Sequence, residues 1–124
     1  MNKLFSFPEK YEYINRYLAE IYFPSSSFGI NEINDNQDVI ITLKDGRCYS
    51  FTAFTPDNIK FLLDKDNALS FVSPGLIMVR FLNVNCVLDA VENCLALEID
   101  GHTLLGHFGI LQRGLDEDDD DEVY

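Results

Sequence analysis

The run from Asp38 to Phe54, DVIITLKDGRCYSFTAF, decides how this chain folds. Two stretches rich in β-branched and aromatic residues meet at Asp45-Gly46, the pattern of an antiparallel hairpin. Two registers compete. A two-residue loop pairs Leu43 with Cys48, Ile41 with Ser50 and Val39 with Thr52, setting large apolar groups opposite small or polar ones. A three-residue loop, Lys44-Asp45-Gly46 with Gly46 left-handed, instead pairs Ile41 with Tyr49 and Val39 with Phe51. Only the second collects Val39, Ile41, Leu43, Tyr49, Phe51 and Ala53 on one face. Because a slip of one residue exchanges the buried and solvated faces, this is the register expected.

Downstream, Thr55-Pro56 followed by Asp57 and Asn58 is a helix start: a hydroxyl cap, proline in the first turn and an acid beside it. Ile59, Leu62 and Leu63 mark its inner side, and Asp66 and Asn67 its end. Ala68 to Val72 reads as a brief strand. Ser73-Pro74-Gly75 then turns the chain into Leu76 to Phe81, whose continuous apolar character predicts a central strand covered on both faces. Asn83 or Asn85 caps a third helix, with Val87, Leu88, Val91, Cys94 and Leu95 inward, Asp89 and Glu92 outward, and Gly101 as its stop. Gly106 and Gly109 disfavour helix in Thr103 to Gln112, which is assigned as a last strand.

Upstream, Pro8 opens a helix in which Tyr11, Ile14, Leu18, Ile21 and Tyr22 recur at helical spacing until Pro24. Glu12 and Arg16 are four apart in the favourable order. Phe28 to Ile33 reads as a short strand and Asn34 to Gln37 as a turn. The element order predicts one α+β domain, residues 1–114, with an antiparallel or mixed sheet of four to six strands and about three helices packed mainly on one face. Residues 115–124 read as a flexible acidic tail.

With 124 residues, 47% of them apolar, the chain has material for one core without bridges or metals. Cys48, Cys86 and Cys94 are an odd number at no framework spacing, which reads as reduced thiols in the cytoplasm. The first eight residues lack the apolar stretch of a secretory signal, and the apolar run Leu76 to Val79 is far shorter than a membrane span.

Charge is distributed unevenly. Net charge is −12; residues 1–80 carry ten acids and eight bases, residues 81–124 eleven acids and the single base Arg113. Those acids are Asp89, Glu92, Glu98 and Asp100, then the run Asp116, Glu117, Asp118, Asp119, Asp120, Asp121 and Glu122. Such a field repels nucleic acid and anionic membranes and attracts cationic surfaces. The run has two readings of equal weight, a solvated brush that keeps the protein soluble and a docking arm for a basic partner.

Motifs for chemistry are absent. No local motif makes a nucleophile of Cys48, Cys86 or Cys94, and small apolar packing is the usual role of such thiols. His102 and His107, five apart in a Gly-rich segment, lack the spacing of a zinc site. Asn34, Asn36 and Asp38 start like a calcium loop, but Val39 sits where glycine is required and no glutamate closes it. No Gly-rich phosphate loop is present, and the bases are too scattered for direct nucleic-acid binding. Neither a metal, a cofactor nor catalysis is expected.

From Leu43 to Leu95, the succession of hairpin, Thr-Pro helix, Pro-Gly strand and helix resembles the small acidic α+β immunity proteins that neutralise bacterial polymorphic or contact-dependent toxins. The resemblance lies in element order and style. It implies a cytoplasmic inhibitor that occupies a cationic toxin surface, often a nuclease active site, and transfers no binding residue. The expected function is therefore a protein-binding inhibitor whose acids from Asp89 onward face a basic partner. Two alternatives stand beside it: a small-ligand domain or enzyme with a site assembled from residues distant in sequence, and an acidic adaptor or nucleic-acid mimic.

Overall fold

The computed structural model describes residues 3–24, 32–73, 75–99 and 109–111. The hairpin at its centre joins β3 (Asn36–Leu43) to β4 (Cys48–Phe54). Ile41 pairs with Tyr49 and Val39 with Phe51, so the three-residue loop wins. Its geometry follows from residue type. The Gly46 N–H donates to the Leu43 carbonyl at 2.9 Å, the Leu43 N–H to the Arg47 carbonyl at 2.8 Å, and Gly46 takes φ 98°, a conformation that costs glycine little. Asp45 closes the turn by accepting the Arg47 N–H at 3.0 Å and its Nε at 2.9 Å. The backbone bond is the main reason its carboxyl titrates below the ordinary range.

The single helix expected from Tyr11 to Tyr22 is two elements, α1 (Glu12–Tyr17) and β2 (Leu18–Tyr22). β2 pairs antiparallel with β3, and the register shifts between Leu18 and Glu20. Exposed Ala19 is the extra residue of this bulge. It rotates the strand so that Leu18 and Ile21, three apart, both reach the core. A bulged strand thereby imitates helical spacing. The short β1 (Lys3–Leu4) pairs with the far end of β2.

Beyond β4, α2 (Pro56–Lys65) begins as expected, with Thr55 Oγ1 accepting the Asn58 N–H at 3.2 Å. Buried Asn58 accepts from Asn36 Nδ2 at 2.8 Å and donates to Asn34 Oδ1 at 3.0 Å, which ties the helix start to the first residues of β3. Asn36 and Gln37, expected in a turn, are therefore strand residues. The chain that follows α2 forms no strand at Ala68 to Val72. Phe71 packs edge-to-face on Phe54 with ring centroids 5.1 Å apart, while Leu69 and Val72 face solvent.

The central strand expected at Leu76 to Phe81 is instead β5 (Leu76–Met78), three residues parallel to β4 at the end of the sheet order. Its apolar continuity has a different cause: Val79 and Leu82 turn down into the core after the strand has ended, and Met78 stays exposed. Gly75 brings the chain to β4, its carbonyl accepting the Thr52 N–H at 3.1 Å. β6 (Gly109–Leu111), inside the expected last strand, pairs antiparallel with Cys48–Ser50 of β4. β5 and β6 thus share one edge of β4, giving a six-stranded mixed sheet.

One face of this sheet holds the core. Val39, Ile41, Leu43, Tyr49, Phe51 and Ala53 pack against Tyr11 and Ile14 from the α1 region and against Val87, Leu88, Val91, Cys94 and Leu95 of α3 (Val84–Ile99). Asn83 is the cap of α3, its Oδ1 accepting the Cys86 N–H at 2.9 Å. Two helices cover this face, and the half-buried apolar residues of α2 stand outside the cluster. The protein is an α+β fold. Most of the expected strand at Phe28 to Ile33 and the stop at Gly101 lie outside the described residues.

The two left-handed glycines differ in what surrounds them. A Cβ at Gly46 meets nothing within 4 Å, whereas one at Gly75 comes 3.2 Å from the Ser50 carbonyl oxygen and 3.3 Å from Phe51 Cα. Gly46→Ala is expected to cost about 1 kcal/mol, from backbone conformation alone. Gly75→Ala should cost about 2–4 kcal/mol, because the β4 backbone must also yield. Urea unfolding of the two variants checks the order.

Candidate functional site

The outer side of α3 follows from helical periodicity. With Val87, Leu88, Val91, Cys94 and Leu95 inward, Cys86, Asp89 and Asn93 fall on the opposite side. They face the end of β5 across an open groove of about 350 Å³, lined also by Met78, Arg80 and Asn85. Arg80 supplies a base and Asp89 an acid to the same groove. Asp89 is exposed, and its carboxylate accepts from Asn93 Nδ2 at 3.2 Å, one turn on.

Glu92 corrects the reading of that helix. Expected to point outward, it is half-buried between α3 and α1, where its two oxygens accept the Tyr13 N–H at 3.0 Å and the Ile14 N–H at 2.9 Å. These are first-turn donors of α1, whose N-cap Tyr11 offers no side-chain acceptor. A helix of six residues cannot sustain itself in water. Glu92 caps it from a distance of nearly eighty residues, and the carboxylate also suits the positive end of the helix dipole. The Tyr11 hydroxyl reinforces the joint, 3.4 Å from the Asn85 carbonyl.

Of the other expected partner-binding acids, Glu98 belongs to α3, but its side chain, like Asp100 and the run from Asp116 to Glu122, lies outside the described residues. So do His102 and His107. Arg80, Asn85 and Asn93 are groove residues that sequence reading missed. Only the helical phase of Asn85 and Asn93 relative to Asp89 signals them; nothing local places Arg80.

The cysteines occupy three different surroundings. Cys48 is buried, its sulfur 3.4 Å from Thr42 Oγ1 and 3.9 Å from the Gly46 carbonyl oxygen. Cys86 is half-buried on the groove, and Cys94 is buried in the core. Desolvation pushes the Cys94 thiol up to about 11, so at neutral pH it is not a nucleophile. Among the described residues no group of three or more His, Cys, Asp or Glu side chains is placed to hold a metal ion. No described helix is long and apolar enough to cross a membrane.

Comparison with protein-family models, with characterised proteins and with solved structures found no match.

Removing the remote cap should show in stability. Glu92→Ala is expected to cost about 1–3 kcal/mol in urea unfolding, the range for a hydrogen-bonded charged group, and Asp89→Ala less than about 0.5 kcal/mol. Equal effects would contradict the assignment. Cys94 adds a pH dependence. Its folded value exceeds the unfolded one, so the folded state keeps a proton the unfolded state has lost, and stability falls as pH rises from about 9 toward 11. Cys94→Ala should flatten that part of the profile, and iodoacetamide at pH 8 should label Cys86 well before Cys94.

Proposed function

We propose that this is a binding protein that engages a cationic protein surface through its acidic final third, and specifically a cytoplasmic, toxin-neutralising immunity protein. The observation that carries the reading is the charge partition: eleven acids face one base after residue 80. The fold supports it by leaving the Asp89 carboxylate on the solvent side of α3, with an amide for a neighbour. Glu92 is engaged within the fold, so Asp89 and the acids from Glu98 onward form the recognition set. A toxin whose substrate is a nucleic acid carries a basic active site, and an acidic protein seated there excludes the substrate by occupying its charges.

Long-range attraction of this kind accelerates encounter more than it tightens the complex. Affinity then comes from apolar anchors at the centre of the interface. Exposed Met78 lines the groove, exposed Phe81 follows Arg80 in the chain, and both are suited to that role. A second reading, binding of a small ligand, draws on the groove itself, whose size reaches the lower end for ligand pockets. An adaptor or nucleic-acid mimic would use the same acids and differ in its partner.

Association with a basic toxin domain provides the test. With Asp89 and the seven acids from Asp116 to Glu122 replaced by their amides, the association rate at low salt should fall by about tenfold or more and lose most of its salt dependence. An unchanged rate with an unchanged salt slope contradicts the proposal.

A further inference from the structure

The end of the sheet at the β3–β4 turn gathers cations and aromatic rings from elements far apart in sequence. The Lys44 N–H donates to the Tyr17 carbonyl at 2.8 Å and its Nζ to the Asn15 carbonyl at 2.9 Å, which fixes the C-terminal end of α1 beside the turn. On α1, Tyr13 and Tyr17 lie nearly parallel, with the Arg16 guanidinium 5.8 Å and 5.9 Å from their ring centroids. On the turn, Arg47 lies 6.0 Å from the Tyr49 ring centroid and donates to its hydroxyl at 3.2 Å. Arg16 and Arg47 also hold Glu12 and Asp45, at 2.8 Å and 2.9 Å. Lys44 meets only a carbonyl oxygen among the described residues. With Glu12 and Asp45 paired to the two arginines and Glu92 held on the Tyr13 N–H, Lys44 is the cation of this end that no carboxylate among the described residues neutralises, in a chain of net charge −12.

The topology sends the chain out of β6 toward the same end of the sheet. In β6, Leu111 pairs with Cys48, the residue after Arg47, and the antiparallel direction means the chain leaves β6 at the turn end of β4. Asp116 follows five residues later, a reach of up to about 17 Å, and adjacent strands are only about 5 Å apart. Crossing from β6 to α1 over β4 and β3 spans roughly 15 Å on the same spacing. The run Asp116 to Glu122 therefore starts within reach of Lys44 and Arg47 and is long enough to extend to Arg16.

We propose that the surface formed by Arg16, Lys44 and Arg47 with Tyr13 and Tyr17 is the docking site of this chain's own acidic segment, Asp116 to Glu122. Aromatic-backed guanidinium groups keep donors free for carboxylates while their faces are held, which makes the surface selective for an acidic strand over a single anion. The consequence reaches beyond partner recognition. The segment is sequestered at low ionic strength, and a more cationic competitor must displace it, so self-docking raises the selectivity for strongly basic surfaces. Self-docking of this kind needs no particular partner.

Zero-length carbodiimide cross-linking of the full-length protein at low micromolar concentration, followed by peptide mass spectrometry, tests it. The expected product is an intramolecular link from Lys44 Nζ to a carboxylate between Asp116 and Glu122, lost at about 1 M salt, where the screening length is about 3 Å. A second measurement compares amide NMR spectra of the wild type with those of a full-length variant carrying amides at all seven acids. Shift changes should fall on residues 13–17 and 44–49, and should vanish when the comparison is repeated in a Lys44→Glu, Arg47→Glu background. Links confined to Lys3, Lys10, Lys60 or Lys65, links found only between two chains, or shift changes elsewhere would overturn the proposal.

Discussion

The register of one hairpin determines what every other element can do. With Gly46 left-handed and three residues in the loop, six apolar side chains of β3 and β4 share a face, and α1, β2 and α3 complete the core on it. Sliding the pairing by one residue would present Cys48, Ser50 and Thr52 to those helices and turn Tyr49 and Phe51 to the opposite side. Burial of an aliphatic or aromatic side chain contributes about 1.5–3 kcal/mol, so turning these two rings out forfeits roughly 3–6 kcal/mol, the scale of a small domain's whole net stability. The remaining pieces are attached to this unit: β2 and β1 along one edge, β5 and β6 along the other, and the α2 crossover anchored by Asn58.

From this arrangement follows a division of labour among carboxylates that net charge conceals. Glu92 and Asp89 lie less than one turn apart on α3, yet one serves the fold and the other is left to solvent. Position relative to α1 separates them. The short α1 brings two unpaired N–H groups beside α3, and a half-buried carboxylate satisfies them at less cost than water can reach them. Asp89, on the groove side, is exposed, with Asn93 for a neighbour and Arg80 on the same groove. Acidity as a bulk property thus resolves into an acid that holds the molecule together, Glu92, and one left to solvent, Asp89.

Local chemistry explains which features were legible in the sequence. The hairpin register, the Thr55 cap and the Asn83 cap are each specified by residues adjacent in the chain; the first two could be read, and the third could be narrowed to Asn83 or Asn85. Failures arose where a remote partner decides. The Ala19 bulge gave Leu18 and Ile21 a helical spacing inside a strand, because only pairing with β3 reveals the extra residue. The apolar run from Leu76 looked central because Val79 and Leu82 are buried after the strand ends, a fact fixed by the path of the chain and not by its pattern. Glu92 could not be distinguished from Asp89, since its partners are seventy-eight and seventy-nine residues away. Arg80 joined the groove for the same reason.

At the centre of this account is the proposal that exposed Asp89 on α3, with the acids that follow it in the sequence, presents a negative field to a partner. Near-surface potential can be measured directly in the free protein, by comparing the paramagnetic relaxation that a cationic and an anionic nitroxide of matched size induce at each amide proton. The account predicts stronger enhancement by the cationic probe along the exposed positions of α3 from Asn85 to Asn93. Equal enhancement by the two probes on that helix, or a preference for the anionic one, would contradict it.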